Sequence, residues 1–233
     1  MKRLPKNRAG FTLVELLTVV ILIGFLAGMV AGTAPAVMRS VKTSAIRAEI
    51  QQLSMALEAY KAEYGEYPPD GTDSSAVTKH IKRCYPDATS YSTYATVTPE
   101  TALYIFLGPH NAVPSSPFST ANPTNKTKGF FEFDQGRLSN YKFVPSGCNT
   151  PYRYVKARGA TGNKSYPTNW VAYKDPNGKW YNPETYQIVS AGLDDDWGAT
   201  GAVQISGSAS SFNKNSLDNV VNFGKKTIKD LFD

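Results

Sequence analysis

One acid sits where chemistry is least expected. Glu15 is the only charged residue in positions 11–38, a run of 28. A carboxylate at the centre of a membrane helix costs ~2.5–3.5 kcal/mol on insertion scales, so its placement calls for a compensating partner. A cut between Gly10 and Phe11 would supply one. Phe11 would then carry a free α-amine at a helix start, and Glu15 would lie one turn further on. The positive end of the helix favours an acid there, and an ammonium group pairs strongly with it in a low dielectric. A neighbouring chain shifted by about one turn along the axis brings its own Phe11 amine level with this Glu15, so the pair would set subunit register.

Other reactive residues are few. Asp194, Asp195 and Asp196 form the one tight acidic cluster beyond residue 39, with Asp218 later in the chain. Calcium takes about six to eight oxygens, and a glycine-flanked acidic loop can offer several. No EF-hand spacing is present, and adjacent aspartates point in different directions. A Ca2+ loop and a solvated turn or helix cap are both open readings. Cys84 and Cys148 fit no zinc or CxxC spacing; they form either a disulfide in an oxidising compartment or two buried thiols. His80 and His110 are the only histidines. With no H-E-x-x-H, G-x-S-x-G, glycine fingerprint or P-loop, the chain is expected not to be an enzyme.

The elements that must position these residues begin with the N-terminus. Of the 25 bases, Lys2, Arg3, Lys6 and Arg8 lie in the first ten residues, leaving 21 against 19 acids in the remainder. That near balance argues against a nucleic-acid footprint. Residues 11–38 are long enough to cross a ~30 Å hydrocarbon core, and the basic leader places the N-terminus in the cytoplasm. A secretory signal peptide ending at Ala34-Pro35-Ala36 fits less well, because its apolar region runs only ~7–15 residues. Gly24, Gly28 and Gly32 line one helix face and allow close helix packing in lipid. Pro35 removes a backbone donor and is expected to kink or loosen the helix.

With these residues placed, "KNRAGFTLVELLTVVILIGFLAGM" resembles the N-terminal signature of type IV prepilins and type II secretion pseudopilins. The resemblance implies that a prepilin peptidase cuts after Gly10 and methylates the new amine of Phe11. It gives Glu15 the role of the family's signature acid. It implies an inner-membrane precursor with a single span, then a periplasmic or extracellular filament. The partners implied are further copies of the chain, minor pseudopilins or pilins, and an inner-membrane assembly platform. The order of helix, "YGEYPPD", sheet and "YQIVSAGLDDDWG" is also similar to the major pseudopilin type, whose relatives bind calcium in a loop near the C-terminus.

Beyond residue 39, Ile46, Ile50, Leu53, Leu57, Tyr60 and Tyr64 recur at spacings of three and four, one apolar stripe on a helix that should stop at Gly65. In "NWVAYKDPNGKWYN", Asn177-Gly178 predicts a tight hairpin. "YQIVSAG", "SNYKFVP" and "YRYVKARG" read as further strands of a small antiparallel sheet that covers the stripe. "TPETALYIFLG" reads as a short helix with Thr98 as cap and Pro99 first, followed by a loop over 109–128. The expected fold is α+β and pilin-like: leader 1–10, membrane and assembly helix 11–38, amphipathic continuation 39–65, and an exported domain 66–233. The expected function is a structural subunit of a type II secretion pseudopilus or related filament. The alternatives are a type IV pilus subunit, or an enzyme or binding protein on a prepilin-like anchor.

Overall fold

The apolar stripe is buried from Ile46 to Tyr60, and Tyr64 at its end is half-buried. The computed structural model describes residues 11–84, 97–109, 129–160, 162, 164–198, 201–205, 212–224 and 227–232. Helix α1 runs Leu13–Tyr64. Ile46, Ile50, Leu53, Leu57 and Tyr60 are all buried on it, whereas Met55, off the stripe, is 65% exposed. The helix stops as its sequence dictates: Gly65 takes a φ of 80°, and its N–H returns to the Lys61 carbonyl at 2.7 Å. Glycine reaches that left-handed conformation without a Cβ penalty. Helical structure continues across Pro35 without interruption, so the expected loosening does not appear as a break. The ring removes one donor, and the intact turns on either side carry the helix through.

Two compact units divide the chain, Met1–Val41 and Lys42–Asp233. In the first, the described residues are Phe11, Thr12 and the start of α1, and their large apolar side chains are exposed. The second holds helices α2 (Ser74–Cys84) and α3 (Ala102–Leu107) with seven short strands among the described residues. These are β1 (Leu138–Ser139), β2 (Lys142–Phe143), β3 (Arg153–Lys156), β4 (Ala172–Lys174), β5 (Tyr186–Ser190), β6 (Ala202–Gln204) and β7 (Val220–Val221). The class is α+β.

β3, β5 and β7 form an antiparallel sheet with β5 in the centre. Tyr154 faces Ile188 across one pair, and Val189 faces Val221 across the other. All five residues of β5 are buried, because strand side chains alternate and each face has a core to meet. Ile188 and Val220 join the α1 stripe with Phe106, Phe143 and Tyr152. Val189 and Val221 pack instead with Val171, Tyr173, Ile205 and Ile228. Asp70, a buried carboxylate, ties the segment after α1 to β3 by accepting from the Lys156 N–H at 2.9 Å and Arg158 Nη2 at 3.2 Å.

Several expectations need correction. The sheet is three small sheets rather than one, and β4 pairs with β6 in parallel. Asn177-Gly178 lies in a turn, but only Gly178 has positive φ, and the return arm is a single bridge between Lys174 and Trp180. Asp175 shapes that turn, its Oδ1 accepting from the N–H groups of Asn177 and Lys179 at 2.9 and 2.8 Å. The two-residue hairpin conformation occurs at Asn140 and Tyr141, both left-handed, between β1 and β2. α3 starts three residues later than Pro99, with Thr101 at its cap position, because Thr98 to Glu100 close a turn ahead of it. α2 was not expected. The loop over 109–128 lies outside the described residues from 110 onward, as does His110.

Candidate functional site

Thr12 precedes the first turn of α1, and Glu15 follows three residues later. Glu15 Oε2 accepts from the Thr12 N–H at 2.9 Å and from the Thr12 hydroxyl at 2.8 Å. In return the Glu15 N–H donates to Thr12 Oγ1 at 3.3 Å. This reciprocal arrangement is a capping box, which satisfies donors that an α-helix start leaves open. Oε1 of Glu15 has no hydrogen-bond partner among the described residues, and the flanking Phe11 is 74% exposed. Thr12 is the residue the sequence reading missed, although its signal, threonine followed at the third position by glutamate, was present. Gly10 lies outside the described residues. A Cβ added to Gly24 or Gly28 would meet nothing within 4 Å, so this face of the helix is bare in the single chain. Gly32 and Pro35 continue the same helix.

The profile of the prokaryotic N-terminal methylation motif matches residues 5–31. The chain carries a type IV prepilin-like signal. That signal spans the capping box, the exposed apolar residues behind it, and two of the three glycines. It supports a type IV pilin-like precursor, processed by a prepilin peptidase and assembled as pilin-type polymers are. α1 also contains a stretch long and apolar enough to cross a membrane, with mean hydropathy 2.6. No curated protein and no solved structure matches the chain.

The acidic loop follows β5, and its carboxylates have different duties. Asp195, left-handed with φ 59°, faces the segment ahead of β3. Its carboxylate accepts from the N–H groups of Asn149 and Thr150, each at 2.8 Å, and from Asn149 Nδ2 at 2.9 Å. Burial alone would raise its pKa, but these donors outweigh burial and hold it below the usual range. Asp196 is lowered by the Gly198 N–H and Asn215 Nδ2. Asp194 Oδ1 accepts from the Asp196 N–H at 2.9 Å. Asp218 differs from all three. Its Oδ2 accepts from the Leu193 N–H at 2.9 Å, while its Oδ1 is buried with no hydrogen-bond partner. Burial, with the Asp194 charge adding to it, raises its pKa. As a calcium set the residues fit in part: Asp218 has a buried oxygen without a partner among the described residues that a cation would relieve and Asp194 is exposed beside it in the loop, whereas Asp195 and Asp196 are engaged elsewhere. Beside the loop, the Arg153 guanidinium stacks 3.9 Å from the Trp197 ring centroid and bonds Glu100 at 3.1 Å.

Cys84 and Cys148 are free thiols, so the disulfide considered from sequence is not formed. Each has its own surroundings. Cys148 donates to the Gly192 carbonyl at 3.2 Å, while Cys84 lies beside His80. Burial raises both thiols, Cys148 to about 11.

Proposed function

We propose that this chain is a structural, non-catalytic subunit of a type II secretion pseudopilus or a related filament, polymerised through its N-terminal helix. The observation that carries the reading is Glu15 in the prepilin-like signal, with one carboxylate oxygen committed to Thr12 and the other without a partner among the described residues. Cleavage after Gly10 leaves Phe11 as the new N-terminus and keeps the capping box intact, since both its members lie downstream. The α-ammonium of the next subunit then pairs with Oε1 in a water-poor setting, where an ion pair is strong and an unpaired carboxylate is costly. The pair gives adjacent helices a defined stagger. The exposed apolar residues of the opening helix pack first against lipid and then against one another, with Gly24 and Gly28 permitting close approach.

Calcium belongs to the same proposal as a stabiliser of the acidic loop. Asp218 and Asp194 would hold it with loop carbonyls, and it would satisfy the buried Asp218 oxygen that has no partner among the described residues.

Mass spectrometry of the mature N-terminus tests the first step. The expected species begins at an N-methylated Phe11 and is found in filaments imaged by electron microscopy. A chain that begins at Met1, or at Val37 after signal-peptide cleavage, would sink the reading.

A further inference from the structure

The residues after α1 and one face of α2 bring Glu66, His80 and Cys84 together, with one ligand atom from each lying within 4.8 Å of the others. His80 Nδ1 is their meeting point, 2.5 Å from Glu66 Oε1 and 3.8 Å from Cys84 Sγ. His80 and Cys84 are four residues apart, one turn of α2, so the helix pre-sets two of the three. The His80 side chain is 2% exposed, and its Nε2 meets the Tyr60 hydroxyl at 2.8 Å.

This convergence distinguishes the cluster from a cysteine nucleophile with its base. In a triad the thiol and the carboxylate address opposite nitrogens of the imidazole. Here both address Nδ1, and Nε2 is engaged by Tyr60. Three ligand atoms within 4.8 Å of one another suit a tetrahedral cation. Thiolate, imidazole and carboxylate together suit zinc, for which neighbouring ligand atoms stand about 3.3–3.6 Å apart. Cys84 is near that separation already. Glu66 Oε1 needs to withdraw by somewhat less than 1 Å, which amounts to exchanging the proton it shares with Nδ1 for a metal ion. Tyr60 then takes the role of the outer partner that fixes the tautomer, because a hydroxyl accepts as readily as it donates.

Two cations contact Glu66, and Lys79 and Arg158 line the adjoining cleft. Arg83 Nη2 contacts Glu66 Oε1 at 2.6 Å and the guanidinium also hydrogen-bonds Cys84; its side chain is 59% exposed, and it must turn to solvent for a metal ion to enter. Lys156 is anchored on the Tyr67 carbonyl at 2.6 Å and stays 3.9 Å from Glu66 Oε2. A thiolate and a carboxylate together neutralise a divalent ion, so no net positive charge is added beside them. Glu66 and His80 also line a cleft of about 460 Å³, shared with Asp70, Lys79 and Arg158.

We propose that Glu66 Oε1, His80 Nδ1 and Cys84 Sγ bind one Zn2+, with the fourth position open to this cleft. The site lies in the unit from Lys42 onward, and its success or failure is independent of the filament reading.

The test uses the full chain in detergent, stripped with chelator and dialysed against ZnCl2 or CoCl2. One Zn2+ per chain is expected, and Co2+ should give a thiolate-to-metal charge-transfer band. Cys84→Ser should lose the band and weaken zinc binding at least tenfold, while Cys148→Ser and Asp194→Asn keep both. Zinc uptake by the unsubstituted chain no greater than by Cys84→Ser, or a band lost in Cys148→Ser instead, overturns the assignment. Should Cys84→Ser misfold, alkylation of the unsubstituted chain decides. Zn2+ should slow modification of Cys84 at least tenfold relative to Cys148, and equal rates would refute the site.

Discussion

The two oxygens of Glu15 are not equivalent, and that inequality divides helix capping from assembly. Oε2 serves Thr12, whereas Oε1 has no partner among the described residues. Glu15→Gln and Glu15→Ala therefore make different statements. Glutamine keeps a carbonyl oxygen for the capping box but carries no charge; alanine loses both. If the charge is what a neighbouring amine reads, both variants should be cleaved after Gly10 normally, and filament yield measured by shearing and immunoblot should fall at least tenfold in each. A Glu15→Gln chain that assembles normally would reassign the residue to capping alone. Glu100 gives a prediction of a different kind. Burial works to raise its pKa, but Lys142 at 2.6 Å and Arg153 at 3.1 Å outweigh burial and lower it. A depressed acid contributes stability above its unfolded pKa of about 4.3 and loses it as pH falls through the folded value. Chemical denaturation should show Glu100→Gln costing stability at pH 7, with the gap to the unsubstituted chain closing below about pH 4. At this scale the sequence was partly legible. An acid in an apolar run is conspicuous, whereas the threonine three residues before it carries a capping signal that the acid's oddity overshadows.

Elements were readable in proportion to how local their causes are. The α1 stripe shows in sequence because one face of a helix meets one core, and its end shows because Gly65 precedes two prolines. α2 escaped because it is 11 residues long and buries only Val77, His80 and Ile81, one of them a histidine. The parallel pairing of β4 with β6 had no local signal. The residues that join, such as Tyr173 and Val203, are 30 apart, and neither strand exceeds three residues. β5 read as a strand by its β-branched residues rather than by alternation, since it is buried on both faces. The stripe carries its own test. Leu53 is fully buried and Met55 is 65% exposed on the same helix. Leu53→Ala should cost about 2–5 kcal/mol in chemical denaturation followed by circular dichroism. Met55→Ala should stay within about 0.5 kcal/mol.

For the whole molecule, charge is distributed by task. The first ten residues hold four of the 25 bases, and beyond them bases and acids nearly balance. Within the unit from Lys42, that balance is local: Glu49 pairs with Arg137 and accepts from the Tyr152 hydroxyl at 2.6 Å, and Glu184 pairs with Lys164 at 2.9 Å. Asp218 is not balanced in this way: among the described residues one of its oxygens is buried with no hydrogen-bond partner. The sequence shows the acidic loop as a cluster but could not rank its members, because that ranking depends on Asn149 and Thr150 reaching Asp195 across 45 or more residues. Calcium at a hundredfold excess over its dissociation constant should stabilise the fold by about 2.7 kcal/mol. For a domain of this size that is a rise in melting temperature of roughly 5–10 °C. The rise should vanish in Asp218→Asn and persist in Asp195→Asn, and an equal rise in all three chains would remove Asp218 from the site. Trp197 makes the same event visible without heating. It adjoins Asp196, and its ring lies against the Arg153 guanidinium. Movement of the loop on cation loading must alter that stacking, so intrinsic tryptophan emission provides a label-free optical gauge of the state of the loop, built into the protein itself.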